Sequence, residues 1–240
     1  MVFNFCLAVT VLTLAGFIQG LTGFGFGLVA MALLPSLIDF HLAALLVVLF
    51  TFPVSAIGFY ENRKHYQWRN GWTLIVGMFC GVPIGVYMMV HAPRELLLRL
   101  LGLLLVAFAL NETVFGKRKL QVPQWMGFPL GLCSGVLGGA FNVGGPTSVA
   151  YCYARPWSKE EVVAVLQLTF IGSALMRLAL FGANGLLTND ATNVVAWAAV
   201  PVLISLLLGM RLFKRIEQEQ LRLGIYCFIG VMGVKYLISP

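Results

Sequence analysis

Residues 138–148 read GGAFNVGGPTS and lie inside an apolar stretch from about 124 to 154. Six of these eleven residues are Gly, Pro or Asn, and Gly and Pro in particular disfavour a helix interior. In hydrocarbon no water is present to satisfy the backbone groups that a broken helix releases. A break here therefore requires covering protein or a water-filled cavity, and how it is read decides the fold.

The rest of the chain sets the solvent. Of 240 residues, 60% are hydrophobic and 10% charged, against about 25% charged in a soluble domain. A soluble core of this size could not hide so much apolar surface, so the chain reads as an all-α integral membrane protein. No polar stretch is long enough for a second, soluble domain. The net charge is +7, but the basic residues lie in short loops between apolar runs. They orient the protein in a bilayer and do not argue for nucleic acid. Cys6, Cys80, Cys133, Cys152 and Cys227 form no CxxC pair and read as small hydrophobes. The N-terminus has no basic leader region and is expected to be retained.

Apolar runs fall at about 3–36, 42–60, 71–91, 96–115, 124–154, 161–183, 191–212 and 220–238. Six suit a helix of roughly 20 residues that spans a membrane. The first and fifth are too long, and both carry glycine clusters. They also resemble each other: an offset of 115 places Gly16, Gly20 and Gly23 on Gly131, Gly135 and Gly138, and Phe26 on Phe141. Three ordinary runs follow in each half. The chain is thus expected to hold two repeats, 1–120 and 121–240, forming one transmembrane unit.

Charge separates two topologies. If all eight runs cross, the 16 basic residues split evenly between the two sides, and the positive-inside rule is silent. If runs one and five enter, turn at their glycines and return, the loops at 61–69, 116–123, 153–160 and 211–222 share a side. Only Arg94, Arg99, Arg177 and Lys235 then lie elsewhere. This favours two re-entrant hairpins and six crossings, with basic loops cytoplasmic, both termini outside and the second repeat inverted. Arg99 and Arg177 lie within runs, which weakens the count.

In each hairpin the returning arm would start inside the membrane, where its free N–H groups and dipole attract anions. Pro146 suits the first position of such an arm. The expected site gathers Gln19, Thr22, Gly25, Gly27, Ser134, Asn142, Gly144, Gly145, Thr147, Ser148 and Arg177. Gly16, Gly20, Gly131 and Gly135 have small-xxx-small spacing and read as helix packing. Gly23, Gly25, Gly27, Gly138, Gly139, Gly144 and Gly145 are denser than packing needs and read as site backbone. Gln167, Thr169 and Ser173 read equally as cavity lining or interhelical glue. Arg177 reads as an anion partner or, more simply, as snorkelling to an interface. Trp125 and Trp157 flank run five as interface anchors.

No carboxylate sits in mid-run to relay protons. His41, His65 and His91 have no metal-site spacing, no phosphate loop occurs, and no nucleophile–base pair is visible. Neither a metal, a cofactor nor an enzymatic activity is expected.

The duplicated pattern, GLTGFGFGLVAMALLPSL in one half and GLCSGVLGGAFNVGGPTSVAYCYARPWSKEEVVAVL in the other, resembles the TauE/SafE sulfite-exporter family over nearly the whole chain. The GGxFNxGGP core is the more specific motif. The first is looser, with Gly25-Phe26-Gly27 where members often carry a glycine triplet. The resemblance implies a secondary transporter of the bacterial inner membrane that exports sulfite, sulfoacetate or another small organosulfur or organic anion. Its partners would be that anion and the lipid bilayer, with a homodimer left open. A passive anion channel and a transporter of a neutral solute are the competing readings.

Overall fold

Among the described residues the eight apolar runs fold as ten α-helices, because the two long runs each break at the expected glycine cluster. The computed structural model describes residues 2–115, 122–187, 189–213 and 218–239. Run one becomes α1 (Val2–Thr22) and α2 (Phe26–Leu33), followed by a 3-10 turn at Leu34–Ser36. Run five becomes α6 (Gly127–Phe141) and α7 (Gly145–Tyr153). The other six are α3 (Phe40–Asn62), α4 (Trp68–His91), α5 (Arg94–Phe115), α8 (Lys159–Ala183), α9 (Asn189–Phe213) and α10 (Gln218–Ile238). Among the described residues there is no strand.

Local chemistry sets the boundaries. The Asp39 carboxylate caps α3 by accepting the N–H of His41 at 2.8 Å. Ser158 caps α8 through the N–H of Glu161 at 3.2 Å. Both are standard ways to satisfy first-turn donors. The first break needs Gly25 at φ 104°, a conformation that side chains resist. The second uses Asn142 at φ 57°, a left-handed cap closing α6. Because α2 opens at Phe26 whereas Phe141 closes α6, the two phenylalanines are not equivalent. The arm of run five continues about one turn further past its packing glycines before breaking.

Among the described residues, five helices are long and apolar enough to cross a membrane: α1, α3, α4, α8 and α9. This differs from the six runs expected to cross. Helix α5 carries Arg94, Glu95, Arg99 and Glu112 along its length, and the described apolar part of α10 is only Tyr226–Ile238. Helix α1, in contrast, is long enough to cross by itself.

Two helix pairs lie parallel and close. Gly77, Gly81 and Gly85 of α4 face successively later residues of α6, with Gly81 against Gly135 and Gly85 against Gly139. Along α1 and α9, Gly16 meets Val202 and Ser205, and Gly20 meets Gly209. The Ser205 hydroxyl donates to Thr13 O at 2.8 Å, tying this second pair. Gly16, Gly20, Gly131 and Gly135 are thus packing glycines, where missing side chains let backbones touch. Gly139, grouped with the site by sequence, faces α4 and belongs with them. Helices α3 and α8 pack antiparallel, with Gly58 against Gln167, and so do α5 and α10, with Gly102 against Gly233.

The ends of run five meet. Val122 N–H donates to Ala154 O at 3.3 Å, and Arg155 Nη1 donates to Val122 O at 2.8 Å. Thr73 at the start of α4 donates to Gln124 O at 3.1 Å. The first residues of α4, both ends of run five and the start of α8 therefore gather at one end of the molecule. The last turns of α9 join them, since Gly20 lies against Met210 and Gly23 against Val163. Lys117, Arg118, Lys119, Lys214 and Arg215, which carry much of the charge argument, lie outside the described residues. The cysteines are free: Cys152 is buried and Cys6, Cys80, Cys133 and Cys227 are exposed.

Candidate functional site

The breaks of the two long runs approach each other between α3 and α8, the first beside Val163 and Gln167 and the second beside Ala44 and Arg177. A Cβ on Gly27, in the first turn of α2, would strike the carbonyl oxygen of Asn142. Beside this crossing lies a small, partly open cavity of about 40 Å³. Its walls include both breaks, Thr51 and Ser55 of α3, Met78 of α4, and Thr169, Phe170 and Ser173 of α8.

Of the eleven residues expected to form a site, Gln19, Gly25, Gly27, Ser134, Asn142, Gly144, Gly145 and Arg177 line this cavity. Three do not. Thr22 lines a separate, mostly apolar pocket with Ile18, Leu28, Val29 and Tyr226, and its hydroxyl donates to Phe24 O. Ser148 is fully buried and hydrogen-bonds Ser134 at 2.6 Å. Thr147 donates to Gly144 O at 3.3 Å, inside its own turn. Helix α7 starts at Gly145, so Pro146 takes the second helical position, where its missing N–H is equally harmless.

Each break is held by a polar lock. At the first, the Gln19 carboxamide accepts the N–H of Phe26 at 3.0 Å and donates to Gln167 Oε1 at 3.4 Å. Gln167 in turn donates to Gly23 O at 2.8 Å. Gln167 is therefore interhelical glue, whereas Thr169 and Ser173 line the cavity. At the second, Asn142 donates from Nδ2 to Ala44 O at 3.2 Å and accepts at Oδ1 from Arg177 Nη1. Ser134 fastens the arms of run five by donating to Gly144 O at 2.7 Å.

Arg177 does not snorkel. It is 3% exposed and turned inward, where Nη1 also donates to Gly138 O and Nε to Ser173 O, each at 3.2 Å. Its partners are neutral oxygens, several at the carboxyl end of α6, where helix dipoles favour a cation. Among the described residues no carboxylate lies within ion-pair distance of it, and it is the one charged residue in the cavity wall. Isolated charge in a low-dielectric interior is costly without a counter-charge.

Sequence reasoning passed over Thr51 and Ser55. Thr51 Oγ1 donates back to Val47 O at 2.6 Å. Ser55 is 1% exposed and its hydroxyl has no hydrogen-bond partner. A lone hydroxyl on an apolar helix gives no signal in sequence; only the cavity distinguishes it. Among the described residues no group of three His, Cys, Asp or Glu could hold a metal ion.

Comparison with known proteins gives one consistent result. The model of the family "Sulfite exporter TauE/SafE" matches residues 8–236. A protein of Cupriavidus necator, named as a probable sulfite/organosulfonate exporter TauE, is 28% identical over 227 residues, covering 89% of this chain and 87% of its own. A protein of Methanocaldococcus jannaschii, named as a probable membrane transporter protein, is 26% identical over 262 residues, covering 98% of each chain. No solved structure matches the chain.

Proposed function

The chain belongs to the TauE/SafE sulfite exporter family, a family of membrane transporters, and on that premise we propose that it exports a small anion by alternating access around the central cavity. The substrate is sulfite or a related organosulfur or organic anion, and the residues that meet it are those of the cavity wall. Arg177 carries this reading: a buried cation with only neutral partners leaves a place for a mobile counter-charge.

The proposed architecture is two inverted repeats, 1–120 and 121–240, each a re-entrant hairpin followed by three crossings. Three observations support it. The ends of run five hydrogen-bond to each other, as in a hairpin that returns to its side of entry. Helix α1 lies parallel to α9 as α6 does to α4, so exchanging the halves preserves both pairings. The antiparallel pairs α3–α8 and α5–α10 each join corresponding helices of the halves. In this reading the chain sits in a bacterial inner membrane with its basic loops cytoplasmic. It acts without cofactor or chemical change of its substrate.

The test is counterflow of sulfite in liposomes holding the purified protein. Saturable exchange that falls at least about tenfold in Arg177→Gln supports the proposal. Conductance far above a transporter's turnover would point to a channel instead. Sulfite exchange that survives the substitution unchanged would remove Arg177 from the site.

A further inference from the structure

The bonding of Arg177 gives Asn142 a role of its own, on the premise that the cavity is the anion site. We propose that Asn142 is a stand-in for the anion: an oxyanion entering the cavity takes Arg177 from the Asn142 amide and so loosens the second break from α8.

The guanidinium is only partly committed. Nε donates to Ser173 O within α8, and Nη1 donates to Gly138 O and to Asn142 Oδ1. Among the described residues no hydrogen bond uses Nη2, and Arg177 lines the cavity. A guanidinium grips an oxyanion best through two neighbouring N–H groups at once. An anion that meets Nη2 therefore completes its grip only by displacing an acceptor that Arg177 already holds. Two of the three acceptors are carbonyls of helix backbone. The Asn142 amide is the one side chain among them, and a side chain can turn aside.

The exchange is favourable in charge. Asn142 Oδ1 is a neutral acceptor, whereas an anion's oxygen makes a charge-assisted bond about twice as strong. The break itself keeps its shape, because Asn142 N–H still donates to Gly138 O at 3.0 Å and Nδ2 to Ala44 O at 3.2 Å. It stays capped and tied to α3. Its hydrogen bonding to α8 is reduced to the 3.2 Å bond from Nη1 to Gly138 O. The first break has no such handle. Its lock to α8 joins the Gln167 carboxamide to Gly23 O and to Gln19, and it offers an anion no charge. Binding thus acts on one break and leaves the other fastened.

Two substitutions at Asn142 carry opposite signs. Asn142→Gly permits the same left-handed backbone and removes the competitor. By titration calorimetry, sulfite should bind the full-length variant about fivefold more tightly than the parent. Asn142→Asp sets a carboxylate against the guanidinium, and affinity should fall at least about tenfold. Both are measured on protein that elutes as a single folded peak. The parent gives a reading that needs no substitution. Saturating sulfite should speed amide hydrogen exchange between Phe141 and Gly145 and leave Gly23 to Gly25 unchanged. Weaker sulfite binding by Asn142→Gly would make the amide a ligand of the anion and overturn the stand-in role, with the anion site intact. Equal affinity in parent and variants, or exchange at the second break that sulfite slows or leaves unchanged, would overturn it too. No binding of sulfite by the parent would overturn the anion reading on which the inference rests.

Discussion

Asn142 combines three tasks that no other residue type performs together. It holds φ at 57°, accepts from Arg177 and donates to Ala44 O. Asn142→Gly keeps the backbone but loses both side-chain bonds; Asn142→Ala loses the bonds and adds left-handed strain. Asn142→Ala should therefore melt below Asn142→Gly, by the equivalent of about 1 kcal/mol, with both below the parent in thermal unfolding. Ser55 should behave in the opposite way. Its hydroxyl makes no internal bond, so Ser55→Ala should leave the unliganded protein as stable or more stable. The ligand-induced rise in melting temperature should shrink, reflecting loss of one hydrogen bond worth about 1 kcal/mol. A fall in the stability of unliganded Ser55→Ala would show that the hydroxyl already has a structural partner.

Among the elements, the α4–α6 pair depends most on small residues. A Cβ at Gly81 would lie 2.8 Å from Val136 N and 3.0 Å from Gly135 Cα. Backbone cannot move aside as a side chain can, so the helices must separate. Gly81→Val should abolish a monodisperse, folded peak in size-exclusion chromatography. Gly224→Ala, where nothing lies within 4 Å of the new atom, should elute like the parent. A well-folded Gly81→Val would mean that α4 and α6 do not need this contact. The spacing Gly131–Gly135 made one side of the interface readable from sequence. Its partner helix was not readable, because glycine spacing says that something packs closely but not what.

At the scale of the whole molecule, the two polar locks hold the breaks in place on either side of the cavity. Gln167 ties the first break to α8 through Gly23 O, and Val163 lies 3.1 Å from a Cβ position on Gly23. If alternating access requires this break to leave α8, a disulfide between Gly23→Cys and Val163→Cys should stop counterflow. The pair is made in a background without the native cysteines, and reduction should restore transport. Undiminished counterflow in the fully oxidised protein would mean that the first break stays fixed on α8 during transport. The charge count that favoured hairpins rested on loops alone. The hydrogen bonds between Val122, Ala154 and Arg155 bring the two ends of run five together.

The amino-acid sequence by itself determined the solvent, the helical class and the places where the two long runs break. Each follows from local properties: apolar content, run length, and residues that leave backbone groups unsatisfied. It also marked most of the cavity wall, because glycines and polar groups at membrane depth are conspicuous against an apolar background. The tertiary structure alone decided what those groups meet. Thr22 turned away from the cavity, Ser148 was used to join α7 to α6 through Ser134, and Ser55 emerged as an unpartnered donor. Arg177 shows the reason most plainly. One position on a helix is compatible with snorkelling outward or turning inward, and the carbonyl of Gly138 and the amide of Asn142, held close by the fold, settle which.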